Sequence, residues 1–236
     1  MDRRELLGAL GAGLIIGGAA EADEAGHAAA QGNGTPIANH HLHFCGIHVA
    51  KNNPKFQIVT QHYCGHAAHE GGGLHQCLLY ESGAKNAKLL GVEYIISDEQ
   101  FRKLPDAEKK YWHPHTYEVL AGGLIAPTMK PPEELAFMKA LLTTWGKTWH
   151  TWPDPTTPIP MGDPLLMWAL TGDGQDDAKV IAARDKEFGV NTAEIRKRRT
   201  EQIGYDVPAV PQPPSLDTIG RQWTADGDDK PTARTR

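Results

Sequence analysis

The order in which strand-like and helix-like stretches follow one another constrains this chain more than any single motif. Residues 57–66 and 74–80 carry the β-branched and aromatic content of strands, and residues 88–97 (KLLGVEYIIS) form the clearest buried strand. Ser97 then reads as the N-cap of a short helix through Leu104, Pro105 and Asp106 open a second helical turn, and residues 115–119 resume strand character. Pro132, followed by Glu133 and Glu134, starts an amphipathic helix running to about Thr144, with Gly146 as its stop. Residues 147–152 and 165–171 are short strands on either side of a proline-rich loop at 153–164. Two helices, over 176–188 and 191–203, complete the pattern, with Thr192 a candidate cap. Strands come first and mix with helices later, without the regular alternation that a parallel doubly wound sheet needs. The order predicts a single α+β domain, a mostly antiparallel sheet with flanking helices. A chain of 236 residues with 40% hydrophobic content can bury one core of that size.

The ends read differently. Arg3 and Arg4 precede two leucines, and residues 6–20 are a Gly- and Ala-rich apolar stretch that is short for a membrane span. With the small residues Ala28, Ala29 and Ala30 behind it, this is the pattern of a twin-arginine export signal over 1–30, cleaved after Ala30. Residues 31–38 are then a linker and 39–206 the domain. From 207 to 236 the Pro-x-x-Pro spacing and the polar end offer nothing for a core, which predicts a disordered tail. The expected compartment is periplasmic or otherwise extracytoplasmic.

All of the 12 histidines except His27 and His150 lie between His40 and His115. They cluster with cysteine as His40-His41-x-His43-x-Cys45-x-x-His48, His62-x-Cys64-x-His66-x-x-His69, His75-x-Cys77 and His113-x-His115. Imidazole and thiolate are the ligands that zinc and similar divalent transition metals prefer. On a straight strand His62 and His66 would stand about 13 Å apart, so at most two of His62, Cys64 and His66 can meet one ion. His113 and His115 form a better-shaped pair, Glu118 follows where the backbone can curl, and His150 can close a further corner. Pro114 between the pair favours an edge strand or loop. The candidate ligands are therefore His62, His66, His113, His115, Glu118 and His150, with His43 and His48 as further members of the first cluster. His40, His41, His69 and His75 read as surface or linker residues.

Cys45, Cys64 and Cys77 leave one thiol unpaired in any disulfide scheme, and all three pairings are open. Buried free thiols are as compatible with the sequence as a disulfide, and a thiolate ligand, Cys64 in particular, is a further candidate role for these cysteines.

A formal net charge of −5 and the absence of a long basic run exclude a phosphate-reading surface. The one basic cluster, residues 196–199, is flanked by Glu194 and Glu201 and reads as a solvated helix face. No phosphate loop, nucleophile elbow or dinucleotide fingerprint occurs, so no nucleotide cofactor is indicated.

Several local motifs in order, HFCGIH (43–48), QHYCGH (61–66), QCLLY (76–80), LGVEYII (90–96), YWHPH (111–115) with YEV (117–119), WGKT (145–148) with HTW (150–152) and ARD (183–185), resemble the oil-body-associated protein family. The resemblance spans residues 40–203. Bacterial relatives of that family are filed as a domain of unknown function, so the resemblance implies a fold boundary and, through its plant members on seed oil bodies, a lipid surface as partner. The export signal and the glycine run at 71–73 depart from the plant pattern.

Three functional expectations follow. One is an exported domain of this type with a His-rich transition-metal site. Another is a metal-dependent hydrolase or oxygenase in which His113, His115 and His150 ligate and Glu118 ligates or shuttles protons, an arrangement analogous to that of cupin barrels. The third is a lipid-surface or interaction module presenting Trp145, Trp149, Trp152 and Trp168.

Overall fold

The computed structural model describes residues 35–67 and 73–204. The expected signal segment, half of the linker (31–34), residues 68–72 and the expected tail lie outside the described residues. Residues 35–39 carry a single 3-10 turn, Ile37–Asn39.

From residue 40 onward the strands are β1 (Leu42–Ala50), β2 (Asn53–Ala67), β3 (Leu74–Tyr80), β4 (Leu89–Ser97), β5 (His113–Pro114), β6 (Thr144–His150) and β7 (Leu165–Trp168). The helices are α1 (Asp98–Arg102), α2 (Asp106–Lys109), α3 (Thr116–Leu120), α4 (Pro131–Leu141), α5 (Ala178–Phe188) and α6 (Thr192–Ile203). β1 to β4 form an antiparallel meander, β1 also pairs with β7, β7 with β6, and β6 returns to β4 from Gly91↔His150 to Ser97↔Thr144. Six antiparallel strands therefore close into a barrel. The expected α+β content is present, but the sheet is a closed ring rather than an open layer beside helices. Closure removes the unpaired edges that an open six-stranded sheet would expose. β5 occupies the part of the β6 edge that β7 leaves free, pairing His113 with Gly146 and Pro114 with Trp145. The closing seam requires glycine: a Cβ on Gly91 would lie 1.9 Å from the Trp149 carbonyl oxygen.

Register assigns the faces. Phe44, His62, Leu79, Gly91 and His150 stand opposite one another across five strands and so share one face, to which alternate residues along each strand add. That face also carries Glu93, Cys77, Cys64 and Thr148. On the other face Cys45 packs with Ile125 and Ile195, beneath the last two helices.

Local signals account for much of the helical boundary placement. Ser97 caps α1 by accepting from the Gln100 N–H, and Gln100 returns a capping-box bond. Asp177 caps α5, and Gly189, at φ 62°, ends it. The α6 cap is Asn191, not Thr192, whose amide and hydroxyl both bond the Asp185 carboxylate.

Four expectations are corrected. Residues 115–119 are not a strand: α3 begins at Thr116, and its five residues are all buried. Tertiary packing overrides the β-branched content there, because two arginines bind carbonyls in the last turn of the helix and just after it. Arg199 donates to the Val119 and Leu124 carbonyls, and Arg184 to those of Gly122 and Gly123. Arg199 is thus fully buried and also paired with Glu134, so the basic cluster is not a uniformly solvated face. The α4 helix stops at Leu141, and Gly146 lies inside β6 rather than at a helix stop. Trp145 and Trp168 are fully buried, against the expectation of an exposed aromatic surface, while Trp149 and Trp152 are half-buried.

Candidate metal centre

β1 and β2 stand on one side of the barrel, β4 to β6 on another, and their inward side chains meet. Strands two apart in a sheet are separated by about 9.6 Å, so residues on β2 and β4 can touch only across a concave interior. Glu93 of β4 does so. Its Oε2 lies 3.0 Å from His62 Nε2, and its Oε1 lies 3.3 Å from His113 Nε2 and 3.4 Å from His115 Nε2. On the far side of His62, the Nε2 of His48 is 3.0 Å from the Nε2 of His62. Two trios, His48–His62–Glu93 and Glu93–His113–His115, each bring their donor atoms within 4.8 Å of one another. Glu118 approaches the second trio, its Oε1 3.9 Å from His115 Nε2. The one-turn geometry of α3 makes this possible, since His115 at its N-cap and Glu118 three residues on share a side.

The space is built by missing side chains. A Cβ on Gly146 would lie 2.2 Å from Glu93 Oε1 and 2.7 Å from the Nε2 atoms of both His113 and His115. Three donors thus close round the volume that a side chain at this position would fill. A Cβ on Gly46 would press on Leu124 at 3.0 Å and make ordinary contacts with His62 and Glu118 at 3.4 and 3.6 Å. Phe44 stacks on the His62 ring with centroids 4.6 Å apart and keeps it in plane.

Hydrogen bonds behind the rings set which nitrogen faces inward. His62 Nδ1 is 3.0 Å from the Thr60 carbonyl, which can only accept, so Nδ1 carries the proton. His115 Nδ1 is 2.7 Å from Thr144 Oγ1, whose own proton goes to the Leu141 carbonyl, so this Nδ1 also donates. Each ring therefore turns its Nε2, and not its Nδ1, toward Glu93. This is the outer-shell arrangement that fixes metal-ligating histidines. His48 Nδ1 lies 3.0 Å from His150 Nε2, while His113 Nδ1 and His150 Nδ1 have no hydrogen-bond partner.

Electrostatics agree with a cation-binding role. Burial alone would push the Glu93 carboxyl up, but the His113, His115 and His62 imidazoles gathered round it hold it well below the usual carboxylate range. Burial, with the Glu93 charge added, pushes Glu118 well above that range. Burial keeps His48 and His113 neutral and lowers His150 to about 3, each in the deprotonated form that ligates metals.

Of the residues expected from sequence, His62, His113, His115 and Glu118 come together. His150 stands behind His48 and reaches the cluster through it. His66 belongs to neither trio; it is exposed, with its ring 5.3 Å from that of His75. Cys64 and Cys77 are joined in a disulfide, which resolves the open pairing and leaves no thiolate at Cys64. Cys45 is the free thiol, and burial pushes it up to about 12, far from a ligating thiolate. Sequence reasoning missed Glu93, the residue at the centre. Its signal was present as the single carboxylate in the middle of an otherwise apolar strand, a placement that is costly unless the charge is paired.

A family model described as a protein of unknown function (DUF1264) matches residues 34–203. Oil body-associated protein 1B of Arabidopsis thaliana is 35% identical over 173 residues, covering 73% of this chain and 70% of the relative. Oil body-associated protein 1A of Zea mays is 34% identical over 170 residues, covering 72% and 70%, and protein 2A of Zea mays is 31% identical over 193 residues, covering 80% and 74%. No solved structure matches.

Proposed function

The chain belongs to the oil body-associated protein family, and we propose that it is an exported metal-binding protein, holding a divalent transition-metal ion of the zinc type inside its barrel. One observation carries the reading: a buried carboxylate, Glu93, with three imidazole Nε2 atoms at 3.0 to 3.4 Å. Two of those rings donate from Nδ1 to groups behind them, the outer-shell arrangement that aims Nε2 of a metal-ligating histidine at the centre. His48, His62, Glu93, His113, His115 and Glu118 are each at most 4% exposed. Catalytic zinc sites keep a position open to water or substrate, so this degree of burial supports a resident ion over substrate turnover.

The relatives are named for oil bodies. In this chain two of the four tryptophans that would mark a lipid-facing surface, Trp145 and Trp168, are fully buried, which favours the metal centre over an aromatic lipid surface.

Elemental analysis of protein purified from its own extracytoplasmic pool is expected to find stoichiometric metal. The His113→Ala/His115→Ala double variant is expected to lose the ion that these two histidines hold while keeping the circular-dichroism spectrum of the wild type. A metal-free wild-type protein would sink the reading.

Export is supported by Arg3 and Arg4 ahead of the apolar stretch, and by the Cys64–Cys77 disulfide, a bond that persists in oxidising compartments. N-terminal sequencing of the exported protein is expected to begin near Gln31. Recovery of the full-length chain from the cytoplasm alone would count against export without touching the metal reading.

A further inference from the structure

We infer that the centre is dinuclear, with Glu93 bridging two cations through its two carboxylate oxygens. The inference rests on the metal-centre reading and adds its stoichiometry. The donors divide by which oxygen they face. His62 Nε2 meets Oε2 at 3.0 Å and has His48 Nε2 at 3.0 Å beside it, whereas His113 and His115 meet Oε1 at 3.3 and 3.4 Å. Ligands held about 2.0 to 2.2 Å from one tetrahedral ion stand roughly 3.3 to 3.6 Å from one another. Each trio is close to that spacing by itself.

The orientation of the rings places a cation on each side. His62, held by its Nδ1 bond to the Thr60 carbonyl, aims Nε2 at Oε2, and His115, held by its Nδ1 bond to Thr144 Oγ1, aims Nε2 at Oε1. Each set of donors gathers on its own carboxylate oxygen, and two ions about 3.5 to 4 Å apart, the usual separation in two-metal sites, use both sets. His48 joins the first position when its Nδ1 donates to His150 Nε2, and this gives His150 its place as the group that orients His48. Glu118, 3.9 Å from His115 Nε2, supplies a further oxygen to the second position.

The test uses the full chain, stripped with a chelator and titrated with Co(II), followed by elemental analysis. Two ions per chain are expected, with the electron paramagnetic resonance signal per ion falling as the second equivalent couples to the first through Glu93. His62→Ala and His115→Ala are each expected to retain one ion, and Glu93→Gln to weaken both by at least about tenfold. A wild-type protein that takes up a single ion overturns the bridge and leaves the metal-centre reading standing. One that takes up none overturns both. Wild-type stoichiometry and coupling decide the matter even if a variant fails to fold.

Discussion

Replacing Gly146 with alanine is expected to empty the metal centre. The added methyl would stand 2.2 Å from Glu93 Oε1 and 2.7 Å from two imidazole nitrogens, well inside contact distance. None of the three can retreat easily, because all belong to residues at most 3% exposed in a packed barrel. Overpacking of this kind costs on the order of 1 to 3 kcal/mol of stability. Displacing the donors by a few tenths of an ångström weakens metal affinity further, by on the order of 100-fold. Gly146 has no left-handed φ, so the penalty comes from lost space and not from backbone strain. Gly83→Ala is the control, since its nearest contact would be the Tyr63 hydroxyl at an ordinary 3.8 Å. Metal content and melting temperature, measured together, report both effects. A Gly146→Ala protein that keeps its full metal load would show that the donors do not close round this volume.

Arg199→Met is expected to be the most destabilising single change outside the centre. The guanidinium is completely buried, donates to the Val119 and Leu124 carbonyls, and pairs with Glu134. Methionine fills much of the volume but leaves the Glu134 carboxylate with only the half-exposed Arg198, 4.0 Å away, and the loss costs on the order of 3 kcal/mol. Adding Glu134→Leu removes the stranded charge and is expected to recover part of the loss, because a buried ion pair often contributes little beyond an apolar replacement. Chemical denaturation of the wild type, the single and the double variant measures this directly. Equal stability of Arg199→Met and wild type would mean that the arginine does not hold the end of α3 in place. Metal affinity should fall with it, since α3 carries Glu118 and starts from His115.

Features governed by near neighbours were legible in the sequence. The strand at 88–97 and the Ser97 cap with its Gln100 partner depend on residues within a few positions, and periodicity and capping chemistry predict them. The same holds for α5 and α6, whose bounds fall within two residues of expectation at each end. Histidine clustering likewise announced the chemistry, and His62, His113, His115 and Glu118 do converge. His66, expected beside His62 as a ligand, does not join them: it is exposed and belongs to neither trio, as the rise of a strand carries the two apart.

What decided the rest was long-range register. Pairing of β4 with β6 closes the barrel, sets Glu93 opposite Thr148 and brings it within reach of His62 two strands away. No local pattern specifies that pairing, so the sequence showed Glu93 as one polar residue in an apolar strand. Gly146 looked like a helix stop because glycine commonly ends helices, whereas its role here is to leave room for three donors that arrive from other elements. Residues 115–119 looked extended because of their β-branched content, and only the buried arginines from α5 and α6 make a helical turn the cheaper conformation there. The sequence alone determined which residues can do metal chemistry. The closure of the barrel determined which of them share one centre, because ligand convergence depends on distances across the interior and not along the chain.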